Sequence, residues 1–163
     1  FGGEPPITGK TESWNGTNWT EANDLNTARK LAGSAGADNT SALAFGGDEP
    51  PYSGTTESWN GTNWTEVNNL NTGRIYLAGF GTSTSALGTG GLTPSLTGAT
   101  ESWNGTNWTE VVDLSTSRAQ GAAAGANNDS GVAFGGEASP GASSATEEWN
   151  TKNPTTVTFS DSE

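Results

Sequence analysis

Tryptophan alternates with small polar residues in ten-residue segments that return along the chain at residues 11–20, 56–65 and 100–109. Each segment reads Thr-Glu-Ser-Trp-Asn-Gly-Thr-Asn-Trp-Thr, with Asn-Gly between two short alternating runs. Alternation with a period of two predicts strands that are buried on one face. Asn-Gly between such runs is a strong hairpin signal, because a type I′ turn needs positive φ at both central residues. The pattern therefore predicts one β-hairpin per segment.

We expect a two-residue loop at Asn15 and Gly16. This register places Trp14 opposite Thr17, Ser13 opposite Asn18, and Glu12 opposite Trp19. The two tryptophans then lie diagonally across the strands on one face, while Thr11, Ser13, Asn18 and Thr20 occupy the other. Each indole could bury about 150–250 Å², so we expect the tryptophan face to supply most of the core.

The hairpins belong to a longer repeat. Trp14, Trp59, Trp103 and Trp149 are 44 to 46 residues apart, and Phe-Gly-Gly occurs at 1, 45 and 134. Each period divides into four short strands, of which the first is rich in Gly and Ala, as suits a strand that neighbouring backbones approach closely. The sequence thus predicts an all-β repeat protein with a partial unit at 1–28, full units at 29–73 and 74–117, and a terminal unit at 118–163.

Composition alone would suggest a different class. Only 30% of residues are hydrophobic and the formal net charge is -12, a combination typical of disorder. The regular repeat nevertheless predicts a folded chain, because a disordered segment has no reason to place Trp and Phe-Gly-Gly at fixed intervals. The acidic charge disfavours nucleic acid and anionic membranes as partners, and no apolar run approaches the length of a membrane span. The chain has no His and no Cys, so it lacks the commonest general base and metal ligand, and we expect no catalytic residues, no metal and no cofactor.

The sequence resembles the kelch repeat. The matching residues are Gly46-Gly47, Trp59, Trp64, Leu70 and Arg74, with their counterparts in the adjoining units. The resemblance covers nearly the whole chain and implies kelch-like β-propeller blades, about 3.5 four-stranded antiparallel blades in all, forming part of a larger or oligomeric ring. The small-residue strand would line the channel and the Trp strand would lie at the rim. The short turn between the tryptophans departs from the usual blade. The repeats also resemble kelch-like repeats in marine bacteriophage tail and structural proteins.

Arg29, Arg74 and Arg118 each stand just before a small-residue strand. In the kelch family, arginines at this place can line the pocket at the channel mouth, so the resemblance makes these three the candidate ligand-binding residues. The alternative is structural: each Arg bonds carbonyls or the glutamate of its own unit. The recurrent Glu12, Glu57 and Glu101 are expected to be such structural partners. Asp24 and Asp113 lie in loops near these arginines, and Asn69 occupies the equivalent position in the middle unit. Nothing in the sequence supports a metal site there.

The loops at 48–54 and 92–98 differ between units while the scaffold does not, which is how binding surfaces are usually built. Tyr52 and Leu96 are the candidate contact residues there, and the alternative is that either residue only packs its loop. We therefore expect a non-catalytic recognition or adhesion module of a virion fibre or secreted appendage, extracellular or virion-associated, that binds a glycan or surface protein. The alternative is a structural assembly subunit without a specific ligand.

The two ends of the sequence look different. In the last unit Pro154 stands where the second Trp is expected, and proline suits an edge strand, so 155–160 is predicted as the outermost strand. Phe1-Gly2-Gly3 reads as the end of a strand that begins earlier. Too few units are present to close a ring, so we expect the end faces to be covered by further repeats of a longer parent chain or by a second copy.

Overall fold

The computed structural model describes residues 1–3, 6–49 and 52–151, together with the backbone of 158–159. Every regular element in this part of the chain is a β-strand. With no helix there, none is long and apolar enough to cross a membrane. The strands are β1 (Thr11–Trp14), β2 (Trp19–Ala22), β3 (Gly33–Asp38), β4 (Ser41–Phe45), β5 (Thr56–Trp59), β6 (Trp64–Val67), β7 (Ala78–Thr82), β8 (Ser85–Thr89), β9 (Thr100–Trp103), β10 (Trp108–Glu110), β11 (Ala122–Asn127), β12 (Ser130–Phe134), β13 (Glu137–Ala138), β14 (Gly141–Ala142), β15 (Thr146–Asn150) and β16 (Thr158–Phe159).

The strands form three four-stranded antiparallel sheets and two separate hairpins. The first sheet is β3-β4-β5-β6, the second β7-β8-β9-β10, and the third β11-β12-β15-β16. The hairpins are β1-β2, before the first sheet, and β13-β14, within the third unit. Each sheet is a meander of one repeat, and the all-β, four-stranded organisation expected from the sequence is confirmed. Pro154 lies outside the described residues, whereas β16 falls within the predicted outermost strand and pairs with β15.

The first strands of neighbouring sheets pack together, β3 against β7 and β7 against β11. The small residues of these strands make the close approach sterically feasible. A Cβ on Gly79 would lie 2.6 Å from the carbonyl oxygen of Ser34 and 2.5 Å from the Phe45 ring, which is closer than a side chain tolerates. Residues 34–38, 79–81 and 123–125 line a concave surface on this inner side.

The core lies between successive sheets. One cluster joins the first and second sheets, and its members are Ala35, Leu43, Phe45, Leu70, Leu77, Ala86, Trp103 and Trp108. A second cluster of Leu25, Ala44, Trp59 and Trp64 joins the β1-β2 hairpin to the first sheet. Tryptophan therefore supplies much of the buried apolar surface, as the composition required.

The predicted hairpin register is wrong. Trp14 pairs directly with Trp19, and Glu12 pairs with Glu21, so the loop contains four residues, Asn15 to Asn18, instead of two. The side chain of Asn15 explains the difference: its Oδ1 accepts hydrogen bonds from the backbone N–H groups of Thr17 and Asn18, both at 2.9 Å. Among the loop residues only Gly16 has positive φ, at 97°, whereas a type I′ turn needs two such residues.

The prediction that both tryptophans share one face survives this correction. The Trp14 and Trp19 ring centroids are 5.4 Å apart, and they lie side by side across the strands instead of diagonally. The same pairing recurs for Trp59 with Trp64 and for Trp103 with Trp108.

Candidate functional site

Buried ion pairs join the repeated arginines to the repeated glutamates. Arg29 donates from Nη2 to Glu57 Oε1 at 2.6 Å, and Arg74 donates from Nη2 to Glu101 Oε1 at 3.0 Å. Arg118 donates to Glu147 in the same way. The side chains of all three pairs are at most 3% exposed. Each pair lies within one sheet, because the Arg precedes the first strand and the Glu belongs to the third.

Each arginine also donates to backbone carbonyls of its own repeat. Arg29 Nη1 reaches Gly46 O at 3.2 Å and Thr55 O at 2.7 Å, so the guanidinium fastens the loop between the second and third strands at both ends. Arg74 does the same with Gly90 O and Ala99 O. A planar fork of five donors suits this task.

The glutamates complete the network with bonds to the connection that enters the sheet. Glu57 accepts from the backbone N–H groups of Asn26 at 2.8 Å and Thr27 at 3.2 Å, and from the Asn26 side chain at 2.8 Å. In the third sheet Ser115 replaces this asparagine, and the connection donates to Glu147 only from the backbone N–H groups of Ser115 at 2.7 Å and Thr116 at 3.4 Å. A buried charge is tolerated only with such compensation.

The three arginines predicted as ligand-binding residues are therefore buried within their sheets, in the arrangement given by the structural alternative. Burial lowers the pKa of Arg74, with the nearby Glu101 opposing the shift. The Nε of Arg74 is buried without a hydrogen-bond partner among the described residues, whereas those of Arg29 and Arg118 donate to carbonyls. Ligand contact by these arginines stays a prediction, and the observed geometry favours a structural role.

The acidic residues in the connecting loops also have structural partners. Asp24 Oδ1 accepts from the Thr11 backbone N–H at 3.2 Å, and Asp113 Oδ1 accepts from that of Thr100 at 3.1 Å. Asn69 makes the equivalent bond to Thr56 at 3.1 Å. An amide serves as well as a carboxylate in this position, so the shared role is acceptance of one hydrogen bond. Within the described ranges, no three acidic side chains cluster closely enough to hold a metal ion.

The meander places the chain's turns at two opposite ends of the sheets. One end, which we call the hairpin end, carries the turns between first and second strands and between third and fourth strands. The other, the loop end, carries the loops between second and third strands and the connections between sheets. Isolated bridges join loop to connection there: Lys30 with Asp48, Ile75 with Leu92, and Ala119 with Glu137. The loops at 48–54 and 92–98, which differ in sequence between units, lie at the loop end.

A cleft lined mostly by serine and threonine residues opens at the loop end between the second and third sheets. It is lined by Ser95, Leu96, Ser115, Thr116, Ser117 and Ser139. The hydroxyl groups of its serines and threonine make no hydrogen bond with any part of the chain that the structure describes. Leu96 and Tyr52, the contact residues suggested by the sequence, are both half-buried. Leu96 lies in this cleft and Tyr52 does not.

Sequence reasoning missed three residues held in an unusual conformation. Leu31, Tyr76 and Gln120 occupy equivalent places and have φ of 59°, 57° and 57°, which side chains other than glycine rarely adopt. Backbone hydrogen bonds link them across the sheets, from Tyr76 N to Leu31 O at 2.9 Å and from Gln120 N to Tyr76 O at 3.0 Å. Their positions repeat but their side chains differ, so no sequence signal marked them.

Comparison with known proteins gives the fold and nothing more specific. No protein-family model and no curated protein matches the chain. Among solved structures, the chain is similar to one described as "Structure of YjhT", with a TM-score of 0.70 and 16% sequence identity. The match covers 87% of this chain and 49% of the other, so this chain spans about half the length of that protein. At this identity the similarity supports a fold of stacked, blade-like antiparallel sheets.

Proposed function

We propose that the chain is a segment of a kelch-like β-propeller that acts as a non-catalytic recognition module through its loop end. One observation carries this proposal: the loop between third and fourth strands is identical at 15–18, 60–63 and 104–107, whereas the loops between second and third strands, at the opposite end, differ at 48–54 and 92–98. Variable loops on a fixed scaffold are typical of binding surfaces. The buried Arg–Glu pairs supply the fixed scaffold, because Arg29 and Arg74 bond both ends of the variable loops that follow them.

The cleft between the second and third sheets is the proposed binding site. Its hydroxyl groups can donate and accept hydrogen bonds, and Leu96 offers an apolar contact. A polyhydroxylated ligand suits such a surface, because each sugar hydroxyl can replace the water bound to a serine or threonine. We therefore favour a glycan over a surface protein as the ligand. A virion fibre or secreted appendage, extracellular or virion-associated, is the setting that we propose for such a module.

The experiment compares two substitutions of equal bulk at opposite ends of the sheets. Ser117→Trp fills the cleft from an exposed position, and Thr106→Trp places the same side chain at the hairpin end. Labelled protein is applied to an array of immobilised glycans. We expect the unmodified chain to bind at least one glycan class, Thr106→Trp to bind equally, and Ser117→Trp to lose tenfold or more in affinity. Failure to bind any glycan, or equal loss in both variants, would contradict the proposal.

A structural assembly subunit is the second candidate, and a separate observation favours it. Three large apolar side chains lie exposed at the two ends of the stacked sheets: Trp14, Trp19 and Phe134. Exposed aromatic surface at the ends of a stack of repeats is a place where another repeat can pack. In either role, the kelch-like ring would be completed by further repeats of a longer parent chain or by a second copy.

A further inference from the structure

An aromatic contact recurs where one repeat meets the next. Phe1 packs on Trp64 with ring centroids 4.9 Å apart, and Phe45 packs on Trp108 at 4.8 Å. In both cases the phenylalanine comes from a Phe-Gly-Gly segment, and the tryptophan begins the outer strand of the following repeat. Tilted and edge-on packing at this distance is favourable for aromatic rings.

A hydrogen bond accompanies each of these contacts. Trp64 donates from Nε1 to Thr11 Oγ1 at 2.9 Å, and Trp108 donates from Nε1 to Thr56 Oγ1 at 3.1 Å. The threonine in each case opens the third strand of the earlier repeat. The junction therefore consists of a Phe and a Thr from one repeat and a Trp from the next, which we call the Phe–Thr–Trp contact.

At the face of the β1-β2 hairpin, only the tryptophan of such a contact is present. Trp19 is equivalent to Trp64 and Trp108, yet it is 64% exposed where they are 5% exposed. Its neighbour Trp14 is 44% exposed. Among the described residues, Trp19 has neither a phenylalanine against its ring nor a hydroxyl acceptor for its Nε1.

At the opposite face, on the third sheet, only the other two members are present. Phe134 is equivalent to Phe45, and it is 41% exposed where Phe45 is fully buried. Thr146 is equivalent to Thr56 and opens β15. The second sheet shows that this position does not require an aromatic residue: Thr89 stands there and bonds Thr100 at 2.8 Å. Phenylalanine thus occupies this position in the first sheet, is replaced by threonine in the second, and returns, exposed, in the third.

We propose that these two faces bind each other between two copies of this chain. Trp19 of one copy packs on Phe134 of the other and donates its Nε1 hydrogen to Thr146, which reproduces the Phe–Thr–Trp contact. A second copy is the occupant because a single sequence carries both halves, each in the position that the internal junctions use. The interface is head-to-tail, and a two-fold arrangement would close it into a ring. It depends on the stacking of repeats and not on the recognition role.

Three single variants test the pairing by light scattering after size-exclusion chromatography over a range of concentrations. We expect the unmodified chain to form a dimer or a larger head-to-tail assembly. Trp19→Ser and Phe134→Ser should each weaken association tenfold or more. Val112→Ser is the control, because Val112 is 50% exposed but lies outside both faces; it should associate like the unmodified chain. A monomeric unmodified chain, or equal association in all variants, overturns the proposal.

Mixing the two defective variants gives the decisive result. A copy with Trp19→Ser still has an intact Phe134 face, and a copy with Phe134→Ser still has an intact Trp19 face. Together they can form one complete junction, so the mixture should contain a heterodimer that neither variant forms alone. A face that binds only itself gives no such rescue, and absence of the heterodimer would overturn head-to-tail pairing. Folding of each variant is checked by near-ultraviolet circular dichroism, and glycan binding should be unchanged in both.

Discussion

The hairpins β1-β2 and β9-β10 carry the same ten residues, 11–20 and 100–109, but in different surroundings. In the first, Trp14 and Trp19 are 44% and 64% exposed; in the second, Trp103 and Trp108 are 1% and 5% exposed. Their local geometry is nevertheless the same, with ring centroids 5.4 Å and 5.3 Å apart and interplanar angles of 45° and 43°. The hairpin conformation is therefore set by its own residues, and burial is set by the neighbouring repeats.

The contribution of each residue to stability depends on its surroundings, even where the local sequence is identical. At about 25 cal/mol per Å² of apolar surface removed from water, a buried indole stabilises the fold far more than an exposed one. The same holds for charge: Glu101 is buried against Arg74, while Glu12, its equivalent, is exposed. Identical substitutions in the two hairpins should therefore have unequal effects, from the buried ion pair at one extreme to the loop at the other.

The largest difference is expected at the glutamate. Glu101→Gln leaves the Arg74 guanidinium buried without its counter-charge, which should lower the free energy of unfolding by about 3 to 5 kcal/mol. Glu12→Gln removes an exposed charge and should change it by close to zero. Urea denaturation of both variants provides the measurement. Equal effects would mean that the ion pair contributes little beyond its hydrogen bonds.

The next difference is expected at the tryptophans. Trp103→Ala removes an almost fully buried indole and should cost about 3 to 5 kcal/mol. Trp14→Ala, at 44% exposure, should cost less than half of that. Thermal denaturation monitored by circular dichroism compares them at one protein concentration, since association through the β1-β2 face would add to the cost of the second variant. A larger loss for Trp14→Ala would contradict the burial order.

Much of the fold could be predicted because the repeat is nearly exact. Fixed spacing of Trp and Phe-Gly-Gly located the units, and alternation located the strands. The role of the double glycine was harder to see: Gly47 donates its N–H to the Arg74 carbonyl of the next repeat at 2.8 Å, and Gly91 does the same with Arg118. A Cβ on Gly47 would lie 2.7 Å from the Lys30 carbonyl oxygen. Such close backbone contacts, within and between repeats, leave only the absence of a side chain as their signal in the sequence.

The prediction of the hairpin register failed because the sequence allows two kinds of turn and does not show which of them is more stable. Asn-Gly can form a two-residue turn, or the asparagine side chain can accept two backbone hydrogen bonds and close a longer loop. Propensity alone does not choose between them. The role of the arginines could not be predicted for another reason. The spacing of Arg29 from Glu57 fits a structural pair, but the burial of both side chains becomes visible only when the strands are assembled into one sheet.

A smaller effect is expected where a tryptophan donates across repeats. Thr56→Val removes the acceptor of the Trp108 Nε1 hydrogen bond and leaves a buried donor unsatisfied, at a cost of about 1 to 3 kcal/mol. Thr56→Ser keeps the hydroxyl and serves as the matched control. Chemical denaturation should place the serine variant clearly closer to the unmodified chain. If valine and serine cost the same, the methyl group and not the hydrogen bond matters at this junction.

The smallest effect, and the one in which the two surroundings should not differ, is expected in the loop. Asn15 and Asn104 each accept two backbone hydrogen bonds within their own loops, at 2.9 Å in all four cases. Both side chains are exposed, so alanine removes only these local bonds and should cost about 1 kcal/mol at either site. Equal shifts in urea midpoint for Asn15→Ala and Asn104→Ala would show that the loop is stabilised by its own residues. A markedly larger loss at Asn104 would mean that the neighbouring repeats also hold the loop, and that local geometry and burial are not independent in this chain.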